Sequence, residues 1–145
     1  MKPSQTLVRL VLDTNILICA LITKGTPPDQ LVQSWKQGRF SLVTSRAQLD
    51  EFEAVYMRRK LRRYLAVHEA MELHDTIADV AVVMETLPEV DASPDPDDNL
   101  ILATAIAGEV DPIVSGDKRH MLSLGRIEGI PIVTPREALL RLQEK

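Results

Sequence analysis

Four short apolar runs punctuate this chain, and between them the hydrophobic spacing changes to that of helices. The runs are Leu7-Val8-Arg9-Leu10-Val11-Leu12, Phe40-Ser41-Leu42-Val43-Thr44, Pro112-Ile113-Val114-Ser115 and Ile130-Pro131-Ile132-Val133. Short runs of this kind, rich in Val and Ile, read as strands buried in a sheet. Helix starts lie between them. Thr26-Pro27-Pro28-Asp29 and Thr134-Pro135-Arg136-Glu137 each put Thr at the cap, Pro in the first turn and an acid three residues on. Ser45-Arg46-Ala47-Gln48 reads as a capping box directly after the second strand. Ala66, Ala70, Leu73, Ile77, Val80, Met84 and Leu87 recur at alternating four- and three-residue steps, which predicts a long helix from about Tyr64 to Leu87. Strands alternating with helices imply right-handed βαβ units, a parallel sheet and helices on both of its faces. The expected class is therefore α/β, and ligands in such a sheet collect outside the carboxyl ends of the strands.

Length and composition narrow what such a sheet can be for. A chain of 145 residues with 45% hydrophobic and 26% charged residues is expected to form one domain over residues 1–145, with 1–6 as a flexible N-terminal tail. Cys19 is the only cysteine, so neither a disulfide framework nor a Cys-rich zinc site is available. Between Ile18 and Ala20 it reads as a buried small hydrophobe, and a reduced, cytoplasmic setting fits. The apolar stretch Leu7–Ile22 is interrupted by Arg9, Asp13 and Asn15, which argues against a signal-peptide core. No run reaches the roughly 18 apolar residues of a membrane span, so no membrane partner is expected. Aromatic side chains (Trp35, Phe40, Phe52, Tyr56 and Tyr64) are too few for a base-stacking platform.

Acidic residues mark the strand ends. Asp13 follows the first run at once, and Asp117 follows the third after one glycine. Glu51 lies on the helix that Ser45 opens, and Asp98 stands at the head of the apolar helix Leu100-Ile101-Leu102-Ala103-Thr104-Ala105. Four acids from four segments are thus directed to one sheet edge. Carboxylates gathered there repel and raise one another's pKa values. A hard divalent cation, Mg²⁺ or Mn²⁺, removes that penalty, activates water and offsets charge on a phosphoryl group. Each acid can also be read more plainly. Asp95 and Asp97 read as helix N-terminal acids, Asp98 is open to the same reading, Glu51 reads as a charge on a solvated face, and Asp117 as a cap. Asp13 resists such a reading, because a charge between two apolar runs needs a partner.

These residues carry a family resemblance. Asp13-Thr14-Asn15 is similar to the opening motif of PIN-domain nucleases, and Ser45 with Glu51 six residues on resembles their second acidic position. Asp98-Asn99-Leu100 through Ala105 resembles the family's central helix, and Ser115-Gly116-Asp117 its fourth motif. Spacing to Ala103-Thr104-Ala105 selects Asp98 over its neighbour Asp97. The pattern from Leu7 to Leu142, with the endings Gly116-Asp117-Lys118 and Val133-Thr134-Pro135, looks most like the toxins of bacterial type II toxin–antitoxin systems.

The resemblance implies a three-layer α/β/α sandwich with a central parallel sheet and a Mg²⁺- or Mn²⁺-dependent ribonuclease acting on single-stranded RNA. Asp13, Asp98 and Asp117 would hold metal, Glu51 would complete the acidic set, and Asn15 and Ser115 would orient ligands or water. It also implies a cognate antitoxin as partner and a possible homodimer. Two rivals keep parts of the pattern. A haloacid-dehalogenase-like phosphohydrolase would also use an Asp such as Asp13, but needs a second Asp where Asn15 stands. A non-catalytic PIN-like module would bind RNA or protein without cleaving.

Basic residues point two ways. Arg58-Arg59-Lys60-Leu61-Arg62-Arg63 is either a solvated connector or a surface for phosphates or an acidic antitoxin segment. Lys118, Arg119 and His120, beside Asp117, are second candidates for substrate contact. His68 and His74 fall on different helix faces, and Trp35 with the Ala66–Leu87 stripe reads as core or interface. The net charge of −4 does not exclude RNA, since the four acids of the expected site account for it.

Overall fold

The computed structural model describes residues 7–143, so the tail expected over residues 1–6 lies outside the described residues. The first run forms β1 (Arg9–Leu12), followed by α1 (Thr14–Ile22) and α2 (Pro27–Lys36). Next come β2 (Ser41–Ser45), α3 (Arg46–Tyr56), a 3₁₀ turn (Arg59–Leu61), α4 (Val67–Val80) and β3 (Val82–Met84). The chain continues through α5 (Pro96–Gly108), β4 (Ile113–Val114), α6 (Met121–Leu124), β5 (Arg126–Ile127), β6 (Ile130–Val133) and α7 (Pro135–Gln143). The strand order is β3-β2-β1-β4-β6-β5. All neighbouring pairs are parallel except β5 with β6.

Two apolar layers sandwich the sheet, because side chains alternate along each strand. Leu10 and Leu12 of β1, Leu42 of β2, Val114 of β4 and Val133 of β6 face one layer, with α1, α2, α3, α4 and α7. Val11, Val43, Ile113 and Ile132 face the other, where α5 and Met121 of α6 pack. The expected α/β/α sandwich is therefore present. Helix α5 buries residues around most of its circumference, including Ile101, Leu102, Ala103, Thr104 and Ala105, which explains its nearly unbroken apolar sequence. No helix among the described residues is long and apolar enough to cross a membrane.

Several local expectations are corrected. The helix predicted from Tyr64 to Leu87 begins at Val67 and stops at Val80, where Ala81 turns extended and β-branched Val82 and Val83 pair with β2. Val80 is exposed rather than core. The sheet is mostly, not wholly, parallel. Glu128 (φ 46°) and Gly129 (φ 83°) form a two-residue link between β5 and β6, the backbone of a tight hairpin. A Glu at its first position hid that signal. Cys19 is exposed on α1 instead of buried. Thr26 makes no side-chain cap bond and donates to the Thr23 carbonyl, whereas Thr134 and Glu137 form a full reciprocal box. Trp35 belongs to the core.

Glycine placement near the end of α5 records a packing constraint. A Cβ on Gly108 would lie 2.5 Å from Val43 Cγ1, so only glycine lets α5 sit this close to β2. The left-handed residue that ends the helix is then Glu109, with φ 49°, one place beyond the glycine that cap geometry would favour. Gly108→Ala is expected to lower stability by about 1–3 kcal/mol through overpacking. Adding Val43→Ala should make the pair less destabilised than the sum of the single changes. Urea midpoints of the four proteins in this cycle check the coupling.

Candidate active site

Strand order places the site. From β1 the chain moves outward to β2 and β3, then returns through α5 to β4 on the other side of β1. The crevice between the ends of β1 and β4 is thus a topological switch point, where open α/β sheets bind ligands. Asp13 sits there, 7% exposed. Its N–H donates to the Val114 carbonyl at 2.9 Å, and Ser115 Oγ donates to its Oδ2 at 2.9 Å. Burial raises the Asp13 carboxyl pKa; the Ser115 hydroxyl and the Asn15 N–H oppose this, while Asp98 and Asp117 add to it.

Asp98 reaches the same crevice from the first turn of α5. Asp95 caps that helix by accepting from the Asp97 N–H at 2.9 Å, as its sequence position predicts. Asn99 clamps the preceding loop: its Oδ1 accepts from the Ala92 and Ser93 N–H groups, and its Nδ2 donates to the Ser93 carbonyl. The clamp aims Ser93, whose Oγ donates to Asp98 Oδ2 at 2.9 Å. Burial again raises the Asp98 pKa, with Asp95 and Asp117 adding to it and Ser93 and His120 opposing.

Glu51 is held from β1 by way of α1. Thr14 Oγ1 donates to Glu51 Oε1 at 2.6 Å. Gln48, buried one turn earlier on α3, ties this contact to the sheet. Its Nε2 donates to the Leu12 carbonyl at 2.7 Å and to Thr14 Oγ1 at 3.4 Å, while its Oε1 accepts from Thr44 Oγ1 at 2.7 Å. Only half of the expected capping box exists, since Ser45 Oγ accepts from the Gln48 N–H but the Gln48 side chain points to β1. Ser45 Oγ also bonds Thr104 Oγ1 at 2.8 Å, and Thr104 Oγ1 donates to the Leu100 carbonyl, fixing α5 against the end of β2. Burial, with the nearby carboxylates of Asp97 and Asp13, raises the Glu51 pKa to about 7, and Thr14 opposes the shift.

Asp117 completes the convergence. Its N–H donates to Ser115 Oγ at 3.1 Å, and its Oδ1 accepts from the Arg119 and His120 N–H groups at 3.0 and 3.3 Å. His120 Nδ1 stands 3.7 Å from Asp98 Oδ2 and 3.9 Å from Asp117 Oδ2. Donor atoms of Asp95, Asp98 and His120 all lie within 4.8 Å of one another. Hard carboxylate oxygens and one imidazole make a donor set that fits a divalent cation.

The other predicted residues divide. Ser115 is fully buried and bonds both Asp13 and Asp117. Asn15 meets Asp13 through its backbone, and its side chain is exposed. Lys118 and Arg119 flank Asp117 on its C-terminal side, and both are exposed. Arg58, Arg59 and Lys60 are exposed and make no ion pair among the described residues; Arg59 and Lys60 border a shallow hollow of about 570 Å³ that runs to Tyr64. Sequence reasoning missed the parts played by Gln48, Ser93, Asn99 and Asp97, and placed Asp95 only as a cap. It took His120 as a substrate contact. The signal for His120 was its third place after Asp117, where a turn folds it back.

Two outcomes follow from this geometry. Gln48→Leu strands the buried Leu12 carbonyl and Thr44 hydroxyl, and is expected to cost about 1–3 kcal/mol, measured by urea unfolding. In chelator-treated protein, Glu51 has a folded pKa of about 7 against an ordinary 4.5. Its protonated form is the one favoured by folding, so its contribution is complete below about pH 4.5 and is lost as pH rises through about 7. Asp13 and Asp98 act in the same direction. Melting temperature should therefore fall across that window, and Glu51→Gln should flatten the decline.

Comparison with known proteins agrees with this architecture. A structure of VapBC2 from Rickettsia felis, bound to a DNA fragment from the promoter, superposes with a TM-score of 0.57 at 12% identity, covering 88% of this chain and 98% of that one. The chain is 25% identical over 144 residues to the uncharacterized protein MJ1680 of Methanocaldococcus jannaschii, spanning 94% of this chain and 92% of that protein. A family model described as PIN domain matches residues 9–119, a span that holds all four acids and stops one residue short of His120. The chain belongs to the PIN-domain family.

Proposed function

We propose that this PIN domain is a Mg²⁺- or Mn²⁺-dependent endoribonuclease that cleaves single-stranded RNA and serves as the toxin of a toxin–antitoxin pair. The observation that carries the reading is the meeting of Asp13, Glu51, Asp98 and Asp117, from four separate segments, around one crevice. PIN domains are generally nucleases, and the toxin reading draws further support from the Gly116-Asp117-Lys118 and Val133-Thr134-Pro135 endings. Asp13, Asp98 and Asp117 would hold the ion, with Glu51 completing the acidic set. A bound divalent cation supplies water activation and charge neutralisation at phosphorus. Ser115, Thr14 and Ser93 hold the carboxylates in place through their hydroxyls, so little reorganisation is needed on loading. Exposed Arg58, Arg59 and Lys60, with Lys118 and Arg119 nearer the acids in sequence, are the proposed phosphate contacts. Exposed Met71 and Val80 on α4, with Val82 on the sheet edge, offer apolar surface for an antitoxin or a second copy. Haloacid-dehalogenase chemistry is not favoured, since Asn15 stands where that mechanism needs a second Asp.

Purified protein should cleave single-stranded RNA with Mg²⁺ or Mn²⁺ and stop when the ion is chelated. Asp13→Asn and Asp98→Asn, each verified as folded, should lose at least about a hundredfold in rate. Unchanged cleavage by both variants would sink the assignment. Replacing Arg58, Arg59 and Lys60 together by Ala should weaken RNA binding and reduce its salt dependence, the slope falling by about 0.7 for each phosphate no longer neutralised.

A further inference from the structure

We propose that His120 is a nitrogen ligand of the acidic centre and biases it toward Mn²⁺ over Mg²⁺. The inference rests on the reading of that centre as a metal site, and concerns a residue just beyond the span that matches the family model. His120 Nδ1 faces two carboxylates from different elements, Asp98 Oδ2 at 3.7 Å and Asp117 Oδ2 at 3.9 Å. Neither distance is a hydrogen bond. Two ligands of one ion, each about 2.1 Å from it, stand roughly 3–4.2 Å apart, and both spacings fall in that range.

The backbone that carries the imidazole is also fixed, in part by the centre itself. The His120 N–H donates to Asp117 Oδ1, which leaves Asp117 Oδ2 turned toward the ring. The next residue, Met121, is fully buried in the layer under α5 and anchors the chain. Among the described residues the ring makes no hydrogen bond; its polar neighbours are carboxylates, and Asp95 is the third. Carboxylates alone suit Mg²⁺, whereas an imidazole in the set favours Mn²⁺ and the later divalent metals.

Pulsed electron paramagnetic resonance of the Mn²⁺-loaded full chain reads the ligand directly. Wild type should show imidazole nitrogen coupling to the ion, and His120→Gln should abolish it. By calorimetry the same substitution should weaken Mn²⁺ binding about tenfold while leaving Mg²⁺ binding within about twofold. Circular dichroism verifies the fold, and His120→Asn serves as a second variant. His68 and His74 lie on α4, and among the described residues neither joins a group of donor atoms that could hold a metal, so persistence of the coupling in the variants would overturn the inference. Bound Mn²⁺ without nitrogen coupling in wild type would overturn it as well, leaving the metal centre intact. Failure of wild type to bind Mn²⁺ at all would instead bring down the metal-centre reading with it.

Discussion

Carboxylates drawn together out of water repel, and the structure meets that constraint with one hydroxyl for each of Asp13, Glu51 and Asp98. Ser115 donates to Asp13, Thr14 to Glu51 and Ser93 to Asp98. A buried carboxylate without such a donor costs several kcal/mol. Each hydroxyl comes from a segment other than that of its acid, so managing the charge and docking the segments become one process. Ser115 joins β4 to β1, Thr14 joins α1 to α3, and Ser93 joins the loop before α5 to the helix itself. The pKa values still rise despite these bonds, which identifies the residual repulsion and desolvation that a cation would relieve.

Beneath the acids lies a layer of buried polar side chains that separates them from the apolar core. Thr44, Ser45, Gln48 and Thr104 are all buried and bonded to one another or to backbone. Every buried side-chain donor and acceptor among the described residues has a partner, so this layer is a satisfied network, which rigidifies rather than weakens. Its members sit at the carboxyl end of β2 and on the two helices flanking it. They transmit the position of the strand ends to α3 and α5, and hence to Glu51 and Asp98.

Much of this was legible from the chain because the strands are short and buried on both faces, so that an Asp closing an apolar run must meet a partner at the sheet edge. The two layers, the helix starts at Ser45, Asp95 and Thr134, and the chain position of all four acids follow from local chemistry. What escaped reading was decided by partners distant in sequence. Gln48 looked like half of a capping box because its nearest partner in the chain is Ser45, yet its side chain is claimed by Leu12, remote in the chain. The stripe from Ala66 to Leu87 keeps helical spacing across Ala81, and only pairing of Val82 with the edge of β2 breaks it. Asp95 and Asp97 have sufficient local reasons as helix-start acids, which concealed their proximity to His120 and Glu51.

The strand order has a consequence for how the crevice comes into being during synthesis. Asp13 leaves the ribosome first, but the strand that lies beside it and leads into Ser115 and Asp117 comes after α5. Until then β1 has a neighbour on one side only, and Asp13 lacks both its backbone acceptor on Val114 and its hydroxyl donor. Contacts this far apart in sequence form late. A nascent or truncated chain that ends before β4 therefore carries three of the four acids with no crevice to gather them. The cluster assembles only when the sheet closes across β1, tying the acidic centre to completion of the fold.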